Sequence, residues 1–226
     1  MRKVPLATGE YYHVFNRGVD KRQIVMDQPD SERFLESLRY FNTLNPIGSI
    51  YEYSFNKKNR NADVQLGNRI PKLVEIVAYC ANPNHYHLIL KQVASRGISK
   101  FMQRLGIGYT NYFNERHKRS GALFQGKFKA VHIETNEQLL HVSAYVNLND
   151  RVHPKFSGRT SQLVCSSWGE YRGRIPEGFC GKEIILEQFR SRPDYVRFAE
   201  STIKGIARRR RAIEDDDTKL AGVFEP

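Results

Sequence analysis

The segment from residue 72 to residue 92 constrains the fold more than any other part of this sequence. Two apolar runs, KLVEIVAYC and HYHLILKQ, flank the turn-forming residues NPN at positions 82–84. Short apolar runs that are rich in β-branched and aromatic residues and bounded by turn residues are typical of paired strands. The segment therefore predicts a β-hairpin, around which a sheet has to be assembled.

Strand-like and helix-like patterns alternate on both sides of this hairpin. Aromatic and β-branched residues predict strands over 10–16 and 127–133. Apolar residues at helical spacing predict one helix that begins near Asp30 and Ser31 and a second that follows Gly97.

A capping signature marks a third helix. Thr135 is followed three residues later by Gln138, which is the capping-box spacing, and the pattern predicts a helix over 136–149. The element order is then strand, helix, strand, strand, helix, strand, helix. This is the split βαβ order of a ferredoxin-like α+β fold, with an antiparallel sheet, helices on one face and the other face open.

The remaining segments are less regular. Residues 43–71 are rich in Asn, Lys, Arg and Gly and predict a long basic loop, with a short hairpin around SIYEYSF as an option. We expect one domain over 1–155 and a C-terminal, mostly helical extension over 156–226, in which KEIILEQF and DYVRFAESTI predict two short helices. The end of the extension, RRRR followed by EDDD, is interpreted as a solvated, partly self-neutralising tail.

Net charge indicates the class of partner. The chain has a formal charge of +12 and a pI near 9.7, and phosphates favour clustered Lys and Arg through counterion release. A nucleic acid is therefore favoured over a basic surface that binds none. Three cysteines without a CxxC pair, no apolar run near the roughly 20 residues of a membrane span and no apolar signal core fit a cytoplasmic, nucleoid-associated protein with no membrane partner.

Two histidines carry the main chemical signal. Alternate residues of a strand share a face, so His85 and His87 lie with Ile89 on one face, while Tyr86 and Leu88 face the helices. Two imidazoles can converge on one divalent cation and leave positions open for a further ligand and a substrate. The spacing alone favours two ordinary surface histidines over a metal site.

A family resemblance changes that balance. The stretch NPNHYHLIL resembles the histidine–hydrophobe–histidine motif of the HUH endonucleases, and more narrowly the single-tyrosine transposases of the IS200/IS605 type and their REP-associated relatives. YYHVFNRGVDKRQIV, LFQGKFKAVHI and AYVNLN resemble the same family, so the resemblance extends over residues 8–155. It implies a ferredoxin-like fold and a transposase that nicks and rejoins single-stranded DNA with Mg²⁺ or Mn²⁺ as cofactor.

The resemblance also implies the remaining site residues. The family carries its nucleophile on the helix after the fourth strand, where Tyr145 is the only tyrosine, and a Gln or Asn four residues later completes the metal site, which here is Asn149. Residues four apart share a helical face. A core aromatic is the alternative role for Tyr145, and Tyr109 and Tyr112 are the next candidate nucleophiles.

One residue departs from the family pattern. Relatives often have Pro directly after the Asn, and this chain has Asp150 there. The departure leaves the end of the helix and the position of Asn149 open, and it makes Asp150 an alternative ligand.

The reaction implied is a transesterification on single-stranded or hairpin DNA. Tyr145 attacks the scissile phosphorus, expels a 3′-hydroxyl and forms a 5′-phosphotyrosine, which a second 3′-hydroxyl can resolve. Arg17, Lys127 and Lys129 are candidates for DNA contacts, with a solvated basic surface as an equal alternative. A single nucleophile is compatible with a monomer or a homodimer.

Two further segments are candidates for holding DNA. Tyr11, His13 and Phe15 on the first strand could stack on unpaired bases or belong to the core. The basic loop over 56–72 could grip a DNA hairpin or be an insertion without that role.

Two other functions fit the same fold. One is a non-catalytic nucleic-acid-binding module, such as a domesticated transposase, and the other is a metal-dependent RNA nuclease without a covalent step. Simultaneous presence of His85, His87, Tyr145 and Asn149 favours the enzyme.

Overall fold

The computed structural model describes residues 5–55, 71–152, 163–175 and 178–214. Its strands are β1 (Tyr11–Arg17), β2 (Val74–Ala81), β3 (His85–Gln92), β4 (Lys129–Ile133) and β5 (Cys165–Ser166). Its helices are α1 (Gln28–Tyr40), α2 (Ile50–Phe55), α3 (Gly97–Arg116), α4 (Asn136–Asn147), α5 (Trp168–Tyr171), α6 (Glu183–Leu186) and α7 (Arg192–Glu214). Two 3₁₀ turns lie at Val19–Lys21 and Asn149–Val152.

The five strands form one antiparallel sheet in the order β4-β1-β3-β2-β5. The first four strands have the order of a ferredoxin-like sheet, and the predicted α+β class with a C-terminal helical extension is confirmed. β2 and β3 form the hairpin predicted from the sequence, closed by a hydrogen bond of 2.8 Å from the backbone N–H of Asn82 to the carbonyl of His85.

The first face of the sheet packs against α1 and α3. Tyr86, Leu88 and Leu90 lie in this core, as the alternation of the strand predicted. The helix glycine Gly108 allows a close approach in this layer, since a Cβ on it would lie 2.4 Å from the ring of Phe41.

The second face of the sheet is covered, and the expectation of an open face is wrong. Val77, Ala78 and Ile89 are fully buried there in a second core with residues of α4 and α7. A β-bulge between Ile76 and Ala78 brings Val77 to the same face as Ala78. Apolar residues on both faces of β2 gave the sequence signal for this second layer.

The C-terminal extension shares this second core. β5 adds a short fifth strand beside β2, with Ala81 opposite Cys165, and Trp168, Tyr195 and Ile203 pack with α4. The domain boundary expected at residue 155 lies outside the described residues and stays a prediction.

Three sequence predictions differ from the observed elements. SIYEYSF forms the short helix α2 rather than a hairpin, and DYVRFAESTI belongs to the 23-residue helix α7 rather than a short one. The predicted helix over 136–149 ends at Asn147, and the chain continues as the 3₁₀ turn that begins at Asn149. Most of the basic loop over 56–72, and the acidic tail, lie outside the described residues.

Among the residues described, no helix is both long and apolar enough to span a bilayer.

Candidate metal centre and nucleophile

Helix α4 is anchored at its start by the predicted capping residues. The hydroxyl of Thr135 accepts a hydrogen bond of 3.1 Å from the N–H of Gln138. The side-chain oxygen of Gln138 in turn accepts one of 2.9 Å from the N–H of Glu134, one residue before the cap. Leu139 and Val146 bury the apolar side of the helix. This docking fixes Tyr145 and Asn149 against the second face of the sheet.

The hairpin turn arranges two asparagines around His85. The N–H of Gly18 donates to the carbonyl of Asn84 at 2.8 Å and ties the turn to the chain after β1. Asn82 is fully buried, and its amide nitrogen lies 2.9 Å from Nε2 of His85.

The side chain of Asn84 sets the tautomer of His85. Nδ1 of His85 lies 2.6 Å from Oδ1 of Asn84, and an amide oxygen can only accept. Nδ2 of Asn84 points instead to the carbonyl of Lys21 at 3.5 Å, which supports this amide orientation. Nδ1 therefore carries the proton, and in a neutral ring Nε2 of His85 carries a lone pair.

That lone pair meets the amide oxygen of Asn149. Oδ1 of Asn149 is 2.9 Å from Nε2 of His85 and accepts a hydrogen bond of 2.7 Å from Nδ2 of Asn82. Nδ2 of Asn82 can donate one hydrogen to each of these acceptors, which holds the two lone-pair-bearing atoms side by side. The arrangement therefore fits a divalent cation with one imidazole and one amide oxygen as ligands, and a carboxamide that is fixed in place by Asn82.

His87 lies beside His85 on the same face of the sheet. The two ring centroids are 5.1 Å apart and the ring planes meet at 84°. Nδ1 of His87 lies 2.9 Å from Nε2 of His13 on the neighbouring strand, so a cation held by His87 would bind its Nε2. Burial lowers the pKa of His13 to about 4, so this imidazole is neutral near pH 7.

Tyr145 lies directly against these imidazoles. Its ring meets His87 edge-on at a centroid distance of 5.3 Å and His13 at 5.9 Å. Only 7% of the residue is exposed, so both roles weighed for it, nucleophile and core aromatic, remain compatible with its position. Tyr109, by contrast, is fully buried in the other layer and donates a hydrogen bond of 2.6 Å to the carbonyl of Ile24.

Asp150 does not join the two motif histidines. Within the described ranges, no group of three or more His, Cys, Asp or Glu side chains is arranged to hold a metal ion. Burial raises the pKa of the Asp150 carboxyl above its usual range. The amide of Asn149 is therefore the oxygen donor that the geometry brings to His85.

Two of the three predicted DNA-contacting cations lie on the same face as the imidazoles. Lys129 is opposite Phe15, and Phe15 is opposite His87, so the three form one row across the sheet. The Lys129 ammonium lies 5.8 Å from the centre of the Phe15 ring. Arg17 is opposite His85 and is exposed, and its guanidinium contacts Gln125. Lys127 is exposed in the segment before β4.

Three side chains of the centre escaped the sequence reasoning as site residues. Asn82 and Asn84 were assigned to the turn alone, and His13 was assigned to base stacking or the core. The available signal for the turn residues was their position directly before the two histidines. His13 could be found only from the strand order, because 74 residues separate it from His87.

A comparison with known families confirms the resemblance. Residues 69–149 match the sequence model of the family described as transposase, IS200-like. The matched segment contains both histidines of the motif, Tyr145 and Asn149. No curated protein sequence matches the chain.

Solved structures of distant sequence resemble the chain weakly. One is a REP-associated tyrosine transposase bound to a REP hairpin, with 14% identity, a TM-score of 0.43 and coverage of 77% of this chain and 86% of that one. Another is a candidate transposase of Deinococcus radiodurans R1, with 15% identity, a TM-score of 0.35 and coverage of 65% of this chain and 95% of that one.

Proposed function

Since residues 69–149 carry the sequence pattern of the IS200-like transposases, we propose that the chain is a divalent-metal-dependent transposase that cuts and joins single-stranded DNA through Tyr145. The observation that carries the proposal is the meeting of His85, His87, Asn149 and Tyr145 on one face of the sheet. These residues come from a hairpin and, more than 50 residues later in the chain, from a helix and the 3₁₀ turn that follows it. A core that needed only to be filled would not require two imidazoles and a carboxamide there.

The donor set suits a divalent cation that tolerates both nitrogen and oxygen. His85 and His87 would supply imidazole nitrogens and Asn149 an amide oxygen, which leaves positions for phosphate oxygens and water. Imidazole favours transition metals and oxygen favours Mg²⁺, so Mn²⁺ and Mg²⁺ both fit the set. A cation bound there supplies Lewis-acid polarisation of the scissile phosphate and neutralises charge that develops on it.

The chain itself supplies the nucleophile and its position. The Tyr145 oxygen attacks the phosphorus, the bond from phosphorus to the 3′-oxygen breaks, and the departing 3′-oxygen gains a proton in place of the one that the phenol loses. The product is a 5′-phosphotyrosine, and attack by another 3′-hydroxyl reverses the exchange. Because one phosphodiester replaces another, no ATP is needed. Because only 7% of Tyr145 is exposed, the reaction requires that the DNA gain access to its hydroxyl.

Charge and aromatic surface favour single-stranded DNA, including strands next to a hairpin. The row formed by Lys129, Phe15 and His87 offers a cation and an aromatic ring beside the site, and such pairs bind backbone phosphates and unstacked bases. Arg17 adds a second cation opposite His85. We propose both cations, together with Lys127, as DNA contacts.

The burial of Tyr145 favours one alternative, a non-catalytic nucleic-acid-binding module on the same fold. In that case Tyr145 would pack α4 against the sheet and the histidines would not act on DNA.

A covalent-capture assay separates the two functions. The protein is mixed with Mg²⁺ or Mn²⁺ and pools of single-stranded hairpin oligonucleotides that are labelled at the 5′ or the 3′ end, and denaturation-resistant adducts are resolved on a gel. The transposase is expected to retain only the 3′ label, to need the metal and to lose the adduct with a chelator. Tight binding without an adduct across the pools would support the binding module and contradict the transposase.

A further inference from the structure

His13 contacts the imidazole of His87 from the neighbouring strand β1. It belongs to β1, where it is opposite Ile89 and diagonal to His87. Diagonal neighbours on one face of an antiparallel pair are within reach of long or aromatic side chains. His13 is only 8% exposed, so its ring nitrogens depend on protein partners more than on solvent.

The geometry of the contact is that of a hydrogen bond between ring nitrogens. Nε2 of His13 and Nδ1 of His87 are 2.9 Å apart, and the two ring planes are inclined by only 22°. The centroid separation of 5.1 Å is close to the sum of this contact and the two ring radii. The two nitrogens therefore lie near the line that joins the ring centres, which places the hydrogen bond in the plane of each ring.

Only one assignment of donor and acceptor in this hydrogen bond leaves His87 able to hold a metal. If His13 donates, the neutral ring of His87 carries its proton on Nε2, and that nitrogen has no lone pair for a cation. If His13 accepts, the proton of His87 sits on Nδ1 and Nε2 is bare. The first motif histidine shows the same arrangement, since His85 donates from Nδ1 to Asn84 and presents Nε2 to Asn149.

We propose that His13 is a positioning residue that accepts a hydrogen bond from Nδ1 of His87 and so holds its Nε2 as the ligand nitrogen. This inference rests on the metal-dependent function proposed above and adds a residue from a different strand to it. Partners of this kind fix the tautomer and orientation of ligating histidines, and their loss typically weakens metal affinity about 10- to 100-fold. Asn84 in the turn would then fix the tautomer of His85, and His13 on the neighbouring strand would fix that of His87.

The first readout is made on the wild-type protein. In full-length, metal-free protein with ¹⁵N-labelled histidine, NMR reports which ring nitrogen of His87 carries the proton, with the signal assigned by comparison with His87→Gln. The proposal predicts a proton on Nδ1 and a bare Nε2. A proton on Nε2 with a bare Nδ1 would overturn it, whatever the activity of the protein.

The second readout is Mn²⁺ affinity, measured by EPR with Mn²⁺ alone. His13→Phe keeps a planar ring without an acceptor and is expected to weaken binding about 10- to 100-fold, whereas His13→Gln restores an acceptor oxygen and is expected to bind much as the wild type does. Equal Mn²⁺ affinity in wild type and His13→Phe would contradict the positioning role. Circular dichroism verifies folding, and if His13→Phe is unfolded the tautomer of the wild type decides alone. Failure of the wild type to bind Mn²⁺ would contradict the proposed metal site itself, and the tautomer would still test the polarity of the bond.

Discussion

The imidazole of His85 and the carboxamide of Asn149, 64 residues apart in sequence, meet at 2.9 Å between Nε2 and Oδ1. Both atoms are acceptors, because Nδ1 of His85 donates a hydrogen bond to Asn84 and Nδ2 of Asn82 donates one to the oxygen of Asn149. In the described part of the chain, Nδ2 of Asn149 is buried without a hydrogen-bond partner. The buried amide of Asn149 thus directs its oxygen towards the lone pair of His85 and leaves its nitrogen unpaired. A cation bound between the two side chains would explain this orientation.

Substitution of Asn149 should therefore change metal affinity more than folding. Asn149→Ala removes the oxygen donor. We expect Mn²⁺ affinity to fall by at least about 10- to 100-fold, which is the loss that removal of an outer-shell partner typically causes. Asn149→Asp should retain binding, because a carboxylate oxygen replaces the amide oxygen. Isothermal titration with Mn²⁺ measures both. Asn136→Ala, at an exposed position at the start of α4, is the matched control, and an equal loss of affinity there would contradict the assignment.

The row from Lys129 through Phe15 to His87 predicts a measurable electrostatic contribution to DNA binding. Replacing Lys129 with Gln should weaken binding of single-stranded DNA and reduce the slope of log affinity against log salt by about 0.7, the value for one phosphate contact on a single strand. Fluorescence anisotropy over a salt series gives the slope. Lys100→Gln is the control, because Lys100 is an exposed lysine of α3 in the other layer. If the two variants show the same slope, Lys129 makes no specific contact.

A buried polar network predicts that the C-terminal extension stabilises the helix of the nucleophile. Nδ2 of Asn147 donates to the hydroxyl of Tyr195 on α7 at 2.8 Å, and the same hydroxyl lies 3.1 Å from Oγ of Ser143. Tyr195→Phe would remove the acceptor of the buried Nδ2 of Asn147, which should lower the free energy of unfolding by about 1–3 kcal/mol.

Urea denaturation followed by circular dichroism measures this loss. Tyr51→Phe, at a residue that is 67% exposed, should stay within about 0.5 kcal/mol of the wild type. A Tyr195→Phe variant as stable as that control would show that the network does not hold the extension to α4.

Sequence reasoning predicted the elements that local patterns determine. The hairpin over 74–92 follows from apolar runs around an NPN turn, and the start of α4 follows from Thr135 and Gln138, whose hydrogen bonds the structure contains. The second layer was missed, because the helix pattern of α7 is interrupted by Arg and Glu and gives no sign of which sheet face it covers.

The candidate site was also predictable only in part, because local sequence patterns do not show which distant elements pack together. His85 and His87 are two residues apart on one strand, so alternation alone puts them together. Tyr145 and Asn149 were assigned through the family resemblance, because no local pattern links a helix to a strand 50 residues earlier. His13 depends on which strand pairs with β3, which is a tertiary fact that local propensities do not contain.

The most direct test of the account is to locate the DNA on the protein chain. Adducts from the capture assay are digested with nuclease and trypsin, and mass spectrometry identifies the peptide that carries a 5′-phosphonucleotide. We predict the peptide over 130–151, in which Tyr145 is the only tyrosine, and loss of the adduct in Tyr145→Phe. A nucleotide on the peptide over 105–116, which contains Tyr109 and Tyr112, or an adduct that persists in Tyr145→Phe, would contradict the assignment of the nucleophile.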